Sequence, residues 1–168
     1  DRAAYAAFRD KKIVPVAAGE HEHDVEGFRE LVEGGCVDFA QADVSHHGGF
    51  SGLSEILGIC ESSKVAFAFH NWGTALETVA DALIGSCFTR ETAAWLEYPE
   101  YAHRDSRVMY PYALSDELVP DAPRPVNGEL ALPDGPGLGV TVDERMLEKY
   151  PYQPGPWSIF ELESPPSK

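Results

Sequence analysis

The stretch from Lys64 to Gly73, KVAFAFHNWG, decides the fold. Val65 to Phe69 form a continuous apolar run rich in Val and Phe, the pattern of a buried strand. The run stops abruptly at His70, Asn71 and Trp72. An imidazole at the end of a buried strand either meets water or is delivered to a site. Which of the two applies depends on how the other strands end.

Around this stretch the first hundred residues alternate helix and strand. DRAAYAAFRDK carries Ala, Tyr and Phe at helical spacing, and Lys11 and Lys12 suit a helix C-terminus. IVPVAAG is expected as a strand ending at Gly19–Glu20. Asp24 then caps VEGFRELVEGG, whose Val25, Phe28, Leu31 and Val32 share one face and which Gly34 and Gly35 close. CVDFAQAD is a second strand, and SGLSEILGICESS a helix with Leu53, Ile56, Leu57 and Cys60 on one side. After KVAFAFH comes the helix TALETVADALIGSC, with Leu76, Val79, Ala80 and Leu83 inward, and AAWLEYP is a fourth strand. Such alternation with short links predicts βαβ units and a parallel sheet.

Each strand ends in a polar residue: Glu20, Asp43, His70 and Glu97, at intervals of 23, 27 and 27 residues. In a (β/α) barrel these ends face one mouth, where catalysis is found. His70 is then one member of a ring. A complete barrel needs eight units and roughly 250 residues, so four units amount to half a barrel. From Arg107 the composition shifts to Pro, Gly and Asp with short apolar runs. Turns, brief strands and a short helix near Asp143–Tyr150 are expected there, followed by an extended Pro-rich tail. The division is therefore 1–106 for the half barrel and 107–168 for an irregular extension.

Charge narrows the function. The chain has 28 acidic and 13 basic residues, a net charge of −15, which repels phosphate backbones and anionic lipid and argues against nucleic-acid and membrane partners. No apolar run approaches the ~20 residues of a membrane span. Cys36, Cys60 and Cys87, odd in number and without a CxxC, are expected as buried thiols in a reducing cytoplasm.

Asp43 and His70 end successive strands, so their side chains can meet. A carboxylate bonded to an imidazole fixes its tautomer and raises its basicity, making an acid or base for neutral pH. His46 and His47, beside Gly48–Gly49, read as loop residues, with His46 the one that could orient a substrate hydroxyl. His21 and His23 in GEHEH look like the HxH zinc pair of amidohydrolases, but the later strand ends come in the wrong order for that site. GPGLG at Gly135–Gly139 has no helix with a lysine after it and is a turn.

The segments PVAAGE, DFAQADVSHHGGFSG, VAFAFHNWG, WLEYPE and LPDGPGLGVTVDE, in this order, resemble the enolase superfamily, specifically its mandelate-racemase-like branch. The resemblance spans roughly Asp1 to Tyr150. It implies an α/β fold: the C-terminal half of a TIM-type barrel, with an extension that packs on a capping domain lying outside these residues. It implies Mg²⁺-dependent removal of a proton α to a carboxylate. Glu20 matches the last of three metal carboxylates, Asp43 and His70 the acid–base dyad, and Glu97 the acid at the last strand end. His46 and His21 are the candidate substrate-binding residues. Ala42 stands where the family more often has Pro, which alters the turn and not the chemistry. The family's lysine base and its other two metal carboxylates belong to the first four barrel strands, which are not among these residues, and Lys11, Lys12 and Lys64 lie at a helix end or strand start, the wrong end of the barrel for catalysis.

The activity implied is dehydration of an acid sugar, a lyase reaction, in a homo-oligomer that includes the other barrel half. Racemisation, epimerisation or cycloisomerisation are the alternatives within the family, and a non-catalytic binding or structural barrel is the alternative outside it. These 168 residues alone are expected to be inactive, to bind Mg²⁺ feebly and to self-associate. The reason is that inner strand faces, with Val14, Val16, Phe39, Phe67 and Phe69 as candidates, would lose half of their partners.

Overall fold

A computed structural model describes residues 1–98 and 112–151. The order is α1 (Arg2–Arg9), β1 (Ala17–Ala18), α2 (Val25–Glu33), β2 (Phe39–Ala42), α3 (Gly49–Ser63), β3 (Ala66–Phe69), α4 (Ala75–Gly85), β4 (Ala93–Leu96), α5 (Tyr112–Leu118) and α6 (Met146–Lys149). The four strands form one parallel sheet in sequence order, β1-β2-β3-β4. All four strands expected from the sequence are present. Among the described residues, no helix is long and apolar enough to cross a membrane.

The starts of α2 and α4 follow their caps. Asp24 accepts from the Gly27 N–H at 2.8 Å, and the Thr74 side chain accepts from Leu76. Phe28, Leu31 and Val32 of α2 and Leu53, Ile56, Leu57 and Cys60 of α3 are buried against the sheet. Strand residues alternate as pleating requires. Ala40, Ala42, Phe67 and Phe69 face the helices, and the Phe67 and Phe69 rings meet edge-on with centroids 4.8 Å apart.

Phe67 and Phe69 are thus not on the barrel's inner face, contrary to the sequence expectation, and neither is Val16, which belongs to the same core. The opposite face carries half-buried Phe39, Gln41, Ala66 and Ala68, with Trp95 67% exposed. The first strand is also shorter than IVPVAAG. Pro15 has no N–H to give, and Ile13 and Val14 are exposed. Asp38 stands in for the ladder there: its Oδ2 accepts from the Val16 N–H at 2.9 Å and its Oδ1 from Arg9 Nε at 2.8 Å. The Val16 N–H, and after it Arg9, hold the Asp38 carboxyl below its usual range.

The helix α4 is rotated from its expected setting. Leu76 and Leu83 are only half-buried, whereas Glu77, Thr78, Asp81 and Ile84 are buried beside Val79 and Ala80. The acidic side chains meet backbone and hydroxyl donors of the loop after β2, which the apolar pattern cannot express. Cys36 and Cys60 are buried, and burial pushes the Cys60 thiol up to about 12, but Cys87 is exposed.

Beyond the barrel units, the Val126–Glu129 bridge is the trace of strand among the described residues, and α5 replaces turns expected at 112–118. Its Ser115 Oγ accepts from the Ala75 N–H at 2.8 Å, at the start of α4. The shorter-than-expected α6 is tied to α5 by the Lys149–Glu117 ion pair and by Tyr150 Oη donating to Glu117 at 3.1 Å. GPGLG is a turn, with the Gly139 N–H bonded to Pro136 O at 3.1 Å. The Pro-rich tail from 152 onward lies outside the described residues.

Phe67→Ala should lower stability by about 3–5 kcal/mol in urea unfolding, because the ring is fully enclosed. Val14→Ala, at a 54% exposed position, should change it by less than about 0.5 kcal/mol.

Candidate active site

The site is built from the C-terminal ends of the four strands. After β1 the backbone crosses very close to β2 at Gly19, whose φ is +146°. A Cβ there would sit 2.4 Å from Gln41 O and 2.7 Å from the Phe28 ring, so the position requires glycine. The crossing delivers Glu20, whose side chain is 45% exposed, beside the end of β3. Its Oε2 lies 3.0 Å from His70 Nε2 and its Oε1 3.3 Å from His21 Nε2.

His70 follows β3 directly, and its Nδ1 lies 2.9 Å from Asp43 Oδ2. The Asp43 side chain is 1% exposed. Its Oδ1 accepts from the His46 backbone N–H at 2.8 Å and contacts His46 Nδ1 at 2.9 Å. Burial pushes the Asp43 pKa up, but the bonds from His70 and from the His46 ring and backbone outweigh it and hold the carboxyl below its usual value.

Glu97 follows β4, on the same side of the sheet as Gln41. Gln41 Nε2 donates to Glu97 Oε1, and the Asn71 N–H donates to Oε2 at 3.1 Å. Asn71 Nδ2 also bonds Thr78 Oγ1 at 2.6 Å and Glu97 O at 3.1 Å. Glu20, Gln41, His70 and Glu97, with His21 and Trp72, line a cleft of about 480 Å³. The structure therefore gathers all four strand-end residues at one end of the sheet, with Asp43 behind His70. His21 is at the rim, while His46 is pinned on Asp43 with its ring 72% exposed.

Five residues the sequence reading passed over contribute. Gln41 and Asn71 fix Glu97; both are foreshadowed by position, two residues before Asp43 and one after His70. His47, expected as a plain loop residue, is buried. Its Nδ1 lies 3.1 Å from both the N and the O of Asp43, and its ring stands edge-on to Phe28 at 5.2 Å. Glu77 accepts from the Gly73 N–H at 2.8 Å and from the Ser45 hydroxyl. Asp81 Oδ1 accepts from the Val44 N–H at 3.0 Å. Burial pushes the Asp81 pKa up to about 8; the charges of Glu77 and Asp43 add to the shift and the Val44 N–H opposes it. Two acids one turn apart in an otherwise apolar helix were the available signal.

Asp81 binds its proton more tightly folded than unfolded, so its contribution favours folding at low pH and is lost as pH rises from about 4 through about 8. Asp81→Asn keeps an acceptor for Val44 and removes the titration. It should raise Tm by a few degrees above about pH 8 and by much less below about pH 5, measured by calorimetry.

A family model for enolase C-terminal domain-like proteins matches residues 1–146. D-gluconate dehydratase of Thermoproteus tenax is 30% identical over 96% of this chain and 30% of its own length. The crystal structure of the 3,6-anhydro-D-galactonate cycloisomerase from Zobellia galactanivorans superimposes with a TM-score of 0.73 at 30% identity, over 89% of this chain and 39% of that one. L-Talarate dehydratase from Polaromonas sp. JS666, complexed with Mg and L-glucarate, gives a TM-score of 0.69 at 20% identity, over 88% of this chain and 36% of that one, and shows the shared fold. The chain spans 30–38% of the length of the curated relatives it matches.

Proposed function

The chain belongs to the enolase C-terminal domain-like family, and from that premise we propose that it carries the acid–base residues of an enzyme that dehydrates an acid sugar. The observation that supports this is the line Asp43–His70–Glu20, with contacts of 2.9 and 3.0 Å across three successive strand ends.

Asp43, held ionised, accepts a hydrogen bond from His70 Nδ1–H, so that Nε2, which lies 3.0 Å from Glu20 Oε2, is the nitrogen that exchanges a proton at the cleft. When Nε2 accepts a proton, the buried carboxylate stabilises the imidazolium. His70 then removes the proton α to the substrate carboxylate or protonates the departing hydroxyl. Glu97, fixed by Gln41 and Asn71, donates a hydrogen bond to the substrate carboxylate when protonated. His21 contacts substrate from the rim, and His46 acts through Asp43.

Glu20 fits a Mg²⁺ ligand: it is a hard carboxylate, nearly half exposed, at the cleft. When bound, the ion counters the negative charge that develops on the substrate carboxylate. Glu20 is the one metal carboxylate these residues supply of the three that the family resemblance implies. Two buried free thiols suit a reducing compartment, and we place the enzyme in the cytoplasm as a homo-oligomer. The cycloisomerase at 30% identity favours one second reading, cycloisomerisation, which shares the first step and releases no water.

The test is turnover of an acid-sugar panel with Mg²⁺ by the product of the complete reading frame containing these residues. Loss of water from one substrate is expected, and turnover of none would overturn the reading. His70→Asn should cut kcat by about 10²–10⁴-fold with metal affinity retained. Asp43→Asn should cost about tenfold less than that, since the base survives with lowered basicity.

A further inference from the structure

Behind the Asp43–His70 pair, Glu77 and Asp81 lie one helical turn apart on the buried face of α4 and reach the loop that follows β2. Donor atoms of Asp43, His46 and Glu77 all lie within 4.8 Å of one another. The three carboxylates are 1%, 7% and 0% exposed for Asp43, Glu77 and Asp81. The ion pairs resolved among the described residues bring no lysine or arginine to any of them. The negative charge of Asp43 and Glu77, enclosed in this way, is costly without a counter-charge.

A separate observation points the same way. Asp81 Oδ2 is buried and has no hydrogen-bond partner, while Oδ1 holds the N–H of Val44, the residue after Asp43. Its carboxyl is thereby held against the Asp43 loop, with one oxygen left over. Buried polar atoms without partners are rare and call for an explanation.

We propose that Asp43, His46 and Glu77, backed by Asp81, form a site for a divalent cation of the zinc class, separate from the Mg²⁺ position at Glu20. One imidazole nitrogen with carboxylate oxygens is a donor set for Zn²⁺ or Co²⁺ rather than Mg²⁺. The His46 ring is 72% exposed, so the ion enters from solvent and replaces the proton shared between His46 Nδ1 and Asp43 Oδ1. Water fills the remaining positions. A further consequence rests on the proposed function: a cation on Oδ1 draws charge from Asp43 while Oδ2 still holds His70. The imidazole becomes a weaker base, and metal occupancy restrains the dyad.

The experiment is a Co²⁺ titration of the product of the complete reading frame containing these residues in millimolar Mg²⁺, followed by visible absorption, with bound metal counted by equilibrium dialysis. It involves no acid sugar, so its result is independent of the proposed activity. The expected result is a Co²⁺ ion displaced by Zn²⁺ but not by Mg²⁺, and bound about 10-fold or more weakly by His46→Ala. His46 is exposed, so this variant leaves the core intact. His46→Cys should keep the ion and add a thiolate charge-transfer band. Glu77→Gln, with folding checked by near-ultraviolet circular dichroism, should weaken binding likewise. No binding, or equal affinity in His46→Ala, overturns the site. So does a loss caused instead by His21→Ala and His23→Ala, or displacement by Mg²⁺, which would put the ion on the exposed histidines or on Glu20.

Discussion

A carboxylate removed from water, with no lysine or arginine paired to it among the described residues, is the constraint around which this end of the molecule is organised. Asp43 remains charged only because donors converge on it from the His46 backbone, the His46 ring and His70. The loop after β2 must therefore curl back on itself, and its own polar groups then need partners. Val44 finds Asp81, Ser45 finds Glu77, and His47 turns under Asp43 against Phe28. The acidic face of α4 and the buried second histidine both follow from one buried charge.

The sheet answers this constraint by separating its duties. The helix-facing side carries the large rings and, with α2 and α3, makes a continuous apolar core. The other side carries Phe39 and Trp95 among small or polar residues, and at its C-terminal edge it presents Gln41, His70 and Glu97 to a cleft. Stability and chemistry thus sit on opposite faces of the same four strands. A polar residue can occupy every strand end without opening a hole in the core.

The strand ends were legible in the sequence because each is a polar residue that interrupts an apolar run at near-constant spacing. So were the buried faces of α2 and α3, where apolar residues recur at helical period and no acid intrudes. The setting of α4 was not. Its Leu76, Val79, Ala80 and Leu83 make an apolar stripe as convincing as the real one, and the deciding interactions are with the Val44 N–H and the Ser45 hydroxyl of another unit. His47 was missed for a related reason. Adjacent histidines before two glycines carry no periodicity, and only the curl around Asp43 tells the buried ring from the exposed one. The length of β1 was misjudged because Pro15 lies within an apolar stretch that propensity alone would extend.

The order β1-β2-β3-β4 has a bearing on how the molecule assembles. Every strand pairs with its neighbour in sequence, so each pairing closes a loop of only a few tens of residues. The entropy of closure grows slowly with length and is incurred in similar small steps rather than in one large one. During synthesis, a unit can dock as soon as its strand clears the ribosome. The pairing of β2 with β3 suffices to bring His70 to Asp43, and β4 adds Glu97 to that pair. Chain growth from the N-terminus is thus also the order in which the cleft acquires its functional groups.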